Sequence, residues 1–132
     1  MNFSALSAND RLAAIAAAIV TITGLISLNN DWGILMALSL LAGLGALVVV
    51  LLPVVAPTAK LPVSKGLALV ALGGVATAAV LLTAFNWIGW IFDHLVAVDT
   101  LQFLVGMVAA IVLLFAGWRA YQAERGTTPA AG

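Results

Sequence analysis

The chain has 132 residues, 64% of them hydrophobic and 8% charged, with five basic and five acidic side chains and a mean hydropathy of +1.22. A water-soluble domain carries roughly 25% charged residues, so these few charges cannot coat a water-facing globule, and lipid must be the solvent for most of the surface. Zero net charge and the lack of a basic run give no support to electrostatic capture of nucleic acid, and none is expected as a partner. The absence of cysteine excludes disulfide frameworks, thiolate metal sites and cysteine nucleophiles.

The polar N-terminus, residues 1–10, lacks the positively charged start of a secretory signal, and the first apolar run leads into Asn29, Asn30 and Asp31 instead of a small-residue cleavage site. It reads as a retained span over residues 12–28, about 26 Å at 1.5 Å per residue, with Asn9 or Asp10 as its cap. The second span covers residues 33–55, with Asn30 as cap and the Pro53, Pro57, Pro62 series as its stop. The third covers residues 66–85, with Ser64 as cap. The fourth covers residues 101–121, preceded by Asp99 with Gln102 at capping-box spacing. Each is too long and too uniformly apolar for a strand or a surface helix. Residues 126–132 are small and polar and read as a disordered tail. The expected fold is an all-α membrane protein, a four-transmembrane-helix bundle in one domain over residues 1–125.

Charge orients the bundle. Arg11, Lys60, Lys65, Arg119 and Arg125 all fall on one side of the four spans, whereas the two opposite loops hold Asp31, Asp93, Asp99 and His94 and no Lys or Arg. Positively charged loops stay in the cytoplasm, so both termini are expected inside.

Small residues at four-residue spacing mark where helix backbones can approach in lipid. The first span offers Ala13, Ala17 and Thr21, the second Ser39 with Gly43 and Ala42 with Ala46, and the fourth Gly106 with Ala110. The third offers two such pairs, Gly73 with Thr77 and Gly74 with Ala78. These pairs serve packing inside the bundle or a face for another subunit. The third span, with small residues on more than one side, is the best candidate for the second use.

The connection after the third span, Phe85-Asn86-Trp87-Ile88-Gly89-Trp90-Ile91-Phe92-Asp93-His94-Leu95, is too aromatic for a free aqueous loop. It reads as an anchor at the headgroup boundary, extending the third helix or lying along the surface, with Trp32 on the same side and Trp118 and Tyr121 in the opposite belt. The alternative is a docking surface, centred on Trp87 and Trp90, for a partner, pigment or lipid. His94, the one histidine, would be the ligand for a haem or chlorophyll-type magnesium. A single histidine supplies one axial ligand, and its neighbour Asp93 favours a solvated or headgroup-facing role.

Ion-coupled transporters carry an ionisable residue within a span. The span interiors here hold Thr21, Thr23, Ser27, Ser39, Thr77, Thr83 and Gln102 as their polar side chains, and no charge. Small four-helix multidrug exporters are similar in size but depend on a glutamate in the first span, and this chain has no glutamate before Glu124. Intramembrane proteolysis needs a Ser–His pair or two aspartates at membrane depth, and neither pattern occurs. Gly43 and Gly45 lie inside an apolar run where phosphate binding is implausible. The expectation is a protein that is not an enzyme and has no cofactor, metal or catalytic residue.

With Asp10-Arg11 before the first span, Asp31-Trp32-Gly33 at the second and Gly106 in the fourth, the chain resembles a broad class of small four-span bacterial membrane proteins. The resemblance implies a fold and brings no activity. The Ala, Val, Leu and Gly bias suits a bacterial inner membrane. The expected function is that of a structural or accessory subunit working by helix packing. Its partners are the lipid bilayer and either a homo-oligomer or a larger membrane complex. A small channel or transporter formed by oligomers, with Thr and Ser lining the path, is the alternative, and pigment binding through His94 is a third.

Overall fold

The computed structural model describes residues 7–29, 32–55 and 64–126. They form α1 (Ala8–Asn29), α2 (Leu35–Val55), α3 (Lys65–Asn86), α4 (Ile88–Asp93) and α5 (Val98–Gly126). Four of these, α1, α2, α3 and α5, are long and apolar enough to cross a membrane. They pack as a closed ring in which α1 meets α2, α2 meets α3, α3 meets α5 and α5 meets α1. The chain is thus an all-α, four-helix membrane protein with the six-residue α4 standing outside the ring.

Helix ends explain most of the differences from the expected boundaries. The cap of α1 is Ser7, whose Oγ accepts the backbone N–H of Asp10 at 3.0 Å, not Asn9 or Asp10. Those two side chains instead reach other helices, as described below. The expected cap of α2, Asn30, lies outside the described residues. That helix starts at Leu35 rather than residue 33, because Gly33 adopts a φ of 126° and turns the chain before Met36 N–H can reach Gly33 O at 3.1 Å. A left-handed φ of this kind favours glycine. Pro53 does not stop α2, which runs on to Val55; Pro57 and Pro62 lie outside the described residues. For α3 the expected cap holds: Ser64 Oγ accepts the N–H of Leu67 at 3.1 Å.

The capping box of the fourth span is overturned. Helix α5 begins at Val98, with Leu101 N–H already bonded to Ala97 O, so Asp99 sits inside the first turn. Gln102 is turned across the bundle and does not reach back to a cap. At the other end α5 continues to Gly126, five residues beyond the expected limit; residues 127–132 of the expected tail lie outside the described residues.

The core is built mostly from small and branched side chains, including Ala13, Ala17, Ala46, Val50, Leu69, Leu113 and Ala116, with large residues concentrated toward the α4 end. The outward faces are apolar as well. Leu41, Val48, Ile22, Val108 and Phe115 are all exposed. Such a surface is stable against lipid tails, which are as apolar as the side chains themselves.

Candidate functional site

Close backbone approach decides which helix pairs touch. Along α3 and α5 the contacts step in antiparallel register. A Cβ added at Gly66 would lie 2.6 Å from the Tyr121 backbone, one at Gly117 would lie 2.8 Å from the backbone of Leu69 and Val70, and one at Gly73 would lie 2.7 Å from Leu114 Cα. One turn further, Thr77 Oγ1 donates to Ala110 O at 3.1 Å. Three glycines and one interhelical hydrogen bond therefore form a single seam. On the α1–α2 side, a Cβ at Gly24 would meet the Leu40 backbone at 3.1 Å and one at Gly43 would meet Thr21 at 2.6 Å. On the α1–α5 side, Gly106 lies against Thr23. The α2–α3 contact is looser, since a Cβ at Gly45 would meet just the side chain of Leu72, at 3.3 Å.

The expected interface residues consequently divide. Gly73, Thr77, Gly106 and Ala110 belong to packing within the chain. Gly74 and Ala78 face outward: a Cβ added at Gly74 would meet no atom within 4 Å, and Ala78 is exposed.

The threonine hydroxyls along the spans bond to carbonyls, except that of Thr100 near the start of α5, which is buried with no partner among the described residues. Thr21 Oγ1 donates to Ala17 O at 2.8 Å, Thr23 Oγ1 to Ile19 O at 2.7 Å and Thr83 Oγ1 to Ala79 O at 2.8 Å. This back-bonding satisfies the hydroxyl without a neighbour. Gln102, like Thr77, links helices: its Nε2 donates to Thr23 O at 2.9 Å and lies 3.2 Å from Ser27 Oγ, tying α5 to α1. Sequence reasoning placed Gln102 at a cap. Its position as the one amide within an uncharged run was the available signal for this different role.

The α4 end is an aromatic plug. Helix α3 breaks at Trp87, which serves as its C-cap and as the N-cap of α4. Trp87 Nε1 donates to Trp32 O at 2.8 Å. Trp32 is 4% exposed, stacked on Phe103 at a 4.4 Å centroid distance and 8° between planes, and met edge-on by Trp90 at 5.4 Å. Trp32 was expected in an interfacial belt; it is instead the buried centre of the plug, because Trp87, Trp90 and Phe103 close around it. Aromatic contacts of this geometry add about 1 kcal/mol each beyond area burial. His94 lies outside the plug, exposed, its ring stacked on Trp90 at 4.2 Å and its Nδ1 2.9 Å from Trp90 O. Phe92, Leu95 and Val96 project from the same region and are exposed.

The opposite end carries the charges. Lys65 Nζ and Asp10 Oδ2 form an ion pair at 2.8 Å between α3 and α1. Glu124 Oε2 accepts the N–H of Gly66 at 2.8 Å, joining α5 to the first turn of α3. Asn9 Nδ2 donates to Ala116 O at 3.0 Å, which links α1 to α5, and its Oδ1 is buried with no hydrogen-bond donor among the described residues. These side chains, with Arg119, surround a cleft of about 420 Å³. An apolar groove of about 490 Å³ lies further along α1 and α5. Trp118 and Tyr121, with ring centroids 5.9 Å apart, lie toward this end of α5.

Among the described residues, no three His, Asp or Glu side chains come together as metal ligands. Comparisons with protein-family models, curated proteins and solved structures return no match.

Proposed function

We propose that the protein is a non-catalytic integral membrane protein that acts as a structural or accessory subunit through helix packing, in a homo-oligomer or a larger membrane complex. The reading rests on how the polar and small residues divide. The hydroxyls of Thr21, Thr23, Thr77 and Thr83 and the Gln102 amide are engaged within the bundle, while Gly74 and Ala78 offer a second small-residue track on the outer side of α3. A shallow track of this kind lets another helix approach closely in lipid. All five Lys and Arg residues lie on one side of the four spans, which supports both termini facing the cytoplasm of a bacterial inner membrane.

The channel or transporter alternative is weakened at its own candidate residues. Thr77 and Thr83 donate to carbonyls of α5 and α3, respectively, inside one bundle, so a path between subunits would need other lining groups. Pigment ligation through His94 gains no support from a ring stacked on Trp90.

The test is the mass and composition of the particle extracted from its native membrane in a mild polymer. Stoichiometric partners or a defined homo-oligomer are expected, and Gly74→Leu should reduce that assembly while the isolated bundle keeps its helix content. A monomer free of partners, or an assembly indifferent to Gly74→Leu, rejects this face as the interface. Ion or solute flux through reconstituted oligomers would favour the channel reading.

A further inference from the structure

The polar cleft and the apolar groove follow one another along the same faces of α1 and α5, the cleft also reaching Lys65 of α3. On α1, Asn9 lines the cleft while Leu12 and Ala16, three and seven residues on, line the groove. On α5, Val105 and Val112 line the groove and Arg119, at the next seven-residue step, lines the cleft. Residues at these spacings share a helix face. From Leu101 to Val112 the groove follows α5 for about 16 Å, close to the ~15 Å hydrocarbon depth of one leaflet.

Chemistry differs sharply between the two parts. The groove is lined by aliphatic side chains alone. In the cleft, two cations, Lys65 and Arg119, face two anions, Asp10 and Glu124. Lys65 is matched by Asp10, and Glu124 holds Gly66 N–H. Arg119 is exposed, forms no ion pair with a described residue, and keeps its guanidinium carbon 5.7 Å from the Phe115 ring centroid. Asn9 Oδ1 is a buried acceptor with no donor among the described residues, and such an atom costs free energy until a donor reaches it. The open functions are therefore a cation and a buried acceptor beside carboxylates, at the head of a hydrocarbon-lined channel.

We propose that this seam binds one phospholipid with a primary-ammonium headgroup, of the phosphatidylethanolamine type. Its phosphate pairs with Arg119, its ammonium donates to Asn9 Oδ1 beside the Asp10 and Glu124 carboxylates, and one acyl chain lies in the groove. The zwitterionic headgroup matches a cleft with equal numbers of cations and anions. An additional negative charge would meet those carboxylates, and a trimethylated ammonium has no N–H for Asn9. The proposal is independent of the accessory-subunit reading, because it concerns a different seam from the α3 face.

The test uses the full chain, delipidated in mild detergent and titrated with phosphatidylethanolamine, phosphatidylcholine and phosphatidylglycerol of identical acyl chains, with bound lipid counted by native mass spectrometry. One phosphatidylethanolamine per chain is expected, about tenfold tighter than phosphatidylcholine, the worth of one charge-assisted hydrogen bond. Arg119→Gln, at an exposed position, should weaken phosphatidylethanolamine, and Asn9→Leu should erase the preference over phosphatidylcholine. Val108→Trp, at an exposed groove position, should lower retention of all three lipids, with helix content followed by circular dichroism. Equal retention of the three, a preference for phosphatidylglycerol, or indifference to both Arg119→Gln and Val108→Trp overturns the proposal. So does a co-purifying helix that occupies the groove and excludes lipid.

Discussion

Gly73 and Gly74 are neighbours on α3, yet they look onto different surroundings. A Cβ at Gly73 would sit 2.7 Å from Leu114 Cα, whereas one at Gly74 would meet nothing within 4 Å. One residue of helix turns the side-chain direction by about 100°, enough to move from the α3–α5 seam to the outer surface. A glycine in a membrane helix is thus defined by what its missing side chain admits. At Gly73 it admits a backbone of the same chain; at Gly74 it leaves a surface open to another molecule.

The sharpest way to break this contrast is Gly73→Leu. Four carbon atoms cannot fit against a backbone that has no room to yield, and overpacking at such a site costs about 3 kcal/mol. Thermal unfolding in detergent should fall markedly, whereas Gly74→Leu should leave the same midpoint nearly unchanged. Equal losses in the two variants would mean that both glycines face the interior.

Gln102→Leu comes next. It removes the amide donated to Thr23 O and Ser27, 2.9 Å and 3.2 Å away, and should cost about 1 kcal/mol, the usual scale for an interhelical hydrogen bond in a membrane. Hydrogen exchange should rise at the α4 end of α1 and α5 and change little at α2. Exchange that rises uniformly would show that the amide holds the whole ring and not one seam.

The smallest effect is expected at the charged end. Asp10→Asn breaks the pair with Lys65, whose side chains are 13% and 31% exposed, respectively. Partial exposure limits the loss to about 1 kcal/mol or less, and the difference from wild type should shrink as salt is raised. A larger, salt-independent loss would place the pair out of reach of water.

Much of this architecture was readable from residue order. Four uncharged runs, the Ser64 cap and the break around the aromatic segment all follow from local composition, because in lipid a helix must satisfy its own backbone groups wherever it spans. Small-residue spacing also identified the residues capable of close approach, including Gly73, Gly106 and Ala110.

What each of them approaches was not readable. Gly73 and Gly74 carry the same spacing signal, four residues before Thr77 and Ala78, and the relative rotation of α3 and α5 alone separates them. Trp32 had the composition of a belt residue until Trp87, Trp90 and Phe103, distant in the chain, enclosed it. Asn9, Asp10 and Gln102 suited helix caps by spacing; in the folded chain neighbouring helices offered Asn9 and Gln102 carbonyls and Asp10 an ammonium group. Residue order was enough to establish that the chain spans a membrane as four helices, since hydrophobic length and backbone satisfaction are properties of each segment. The partners of the side chains that reach from one helix to another came from the packed bundle, since they depend on helix rotation and register, which apolar segments in an apolar solvent settle through contact geometry.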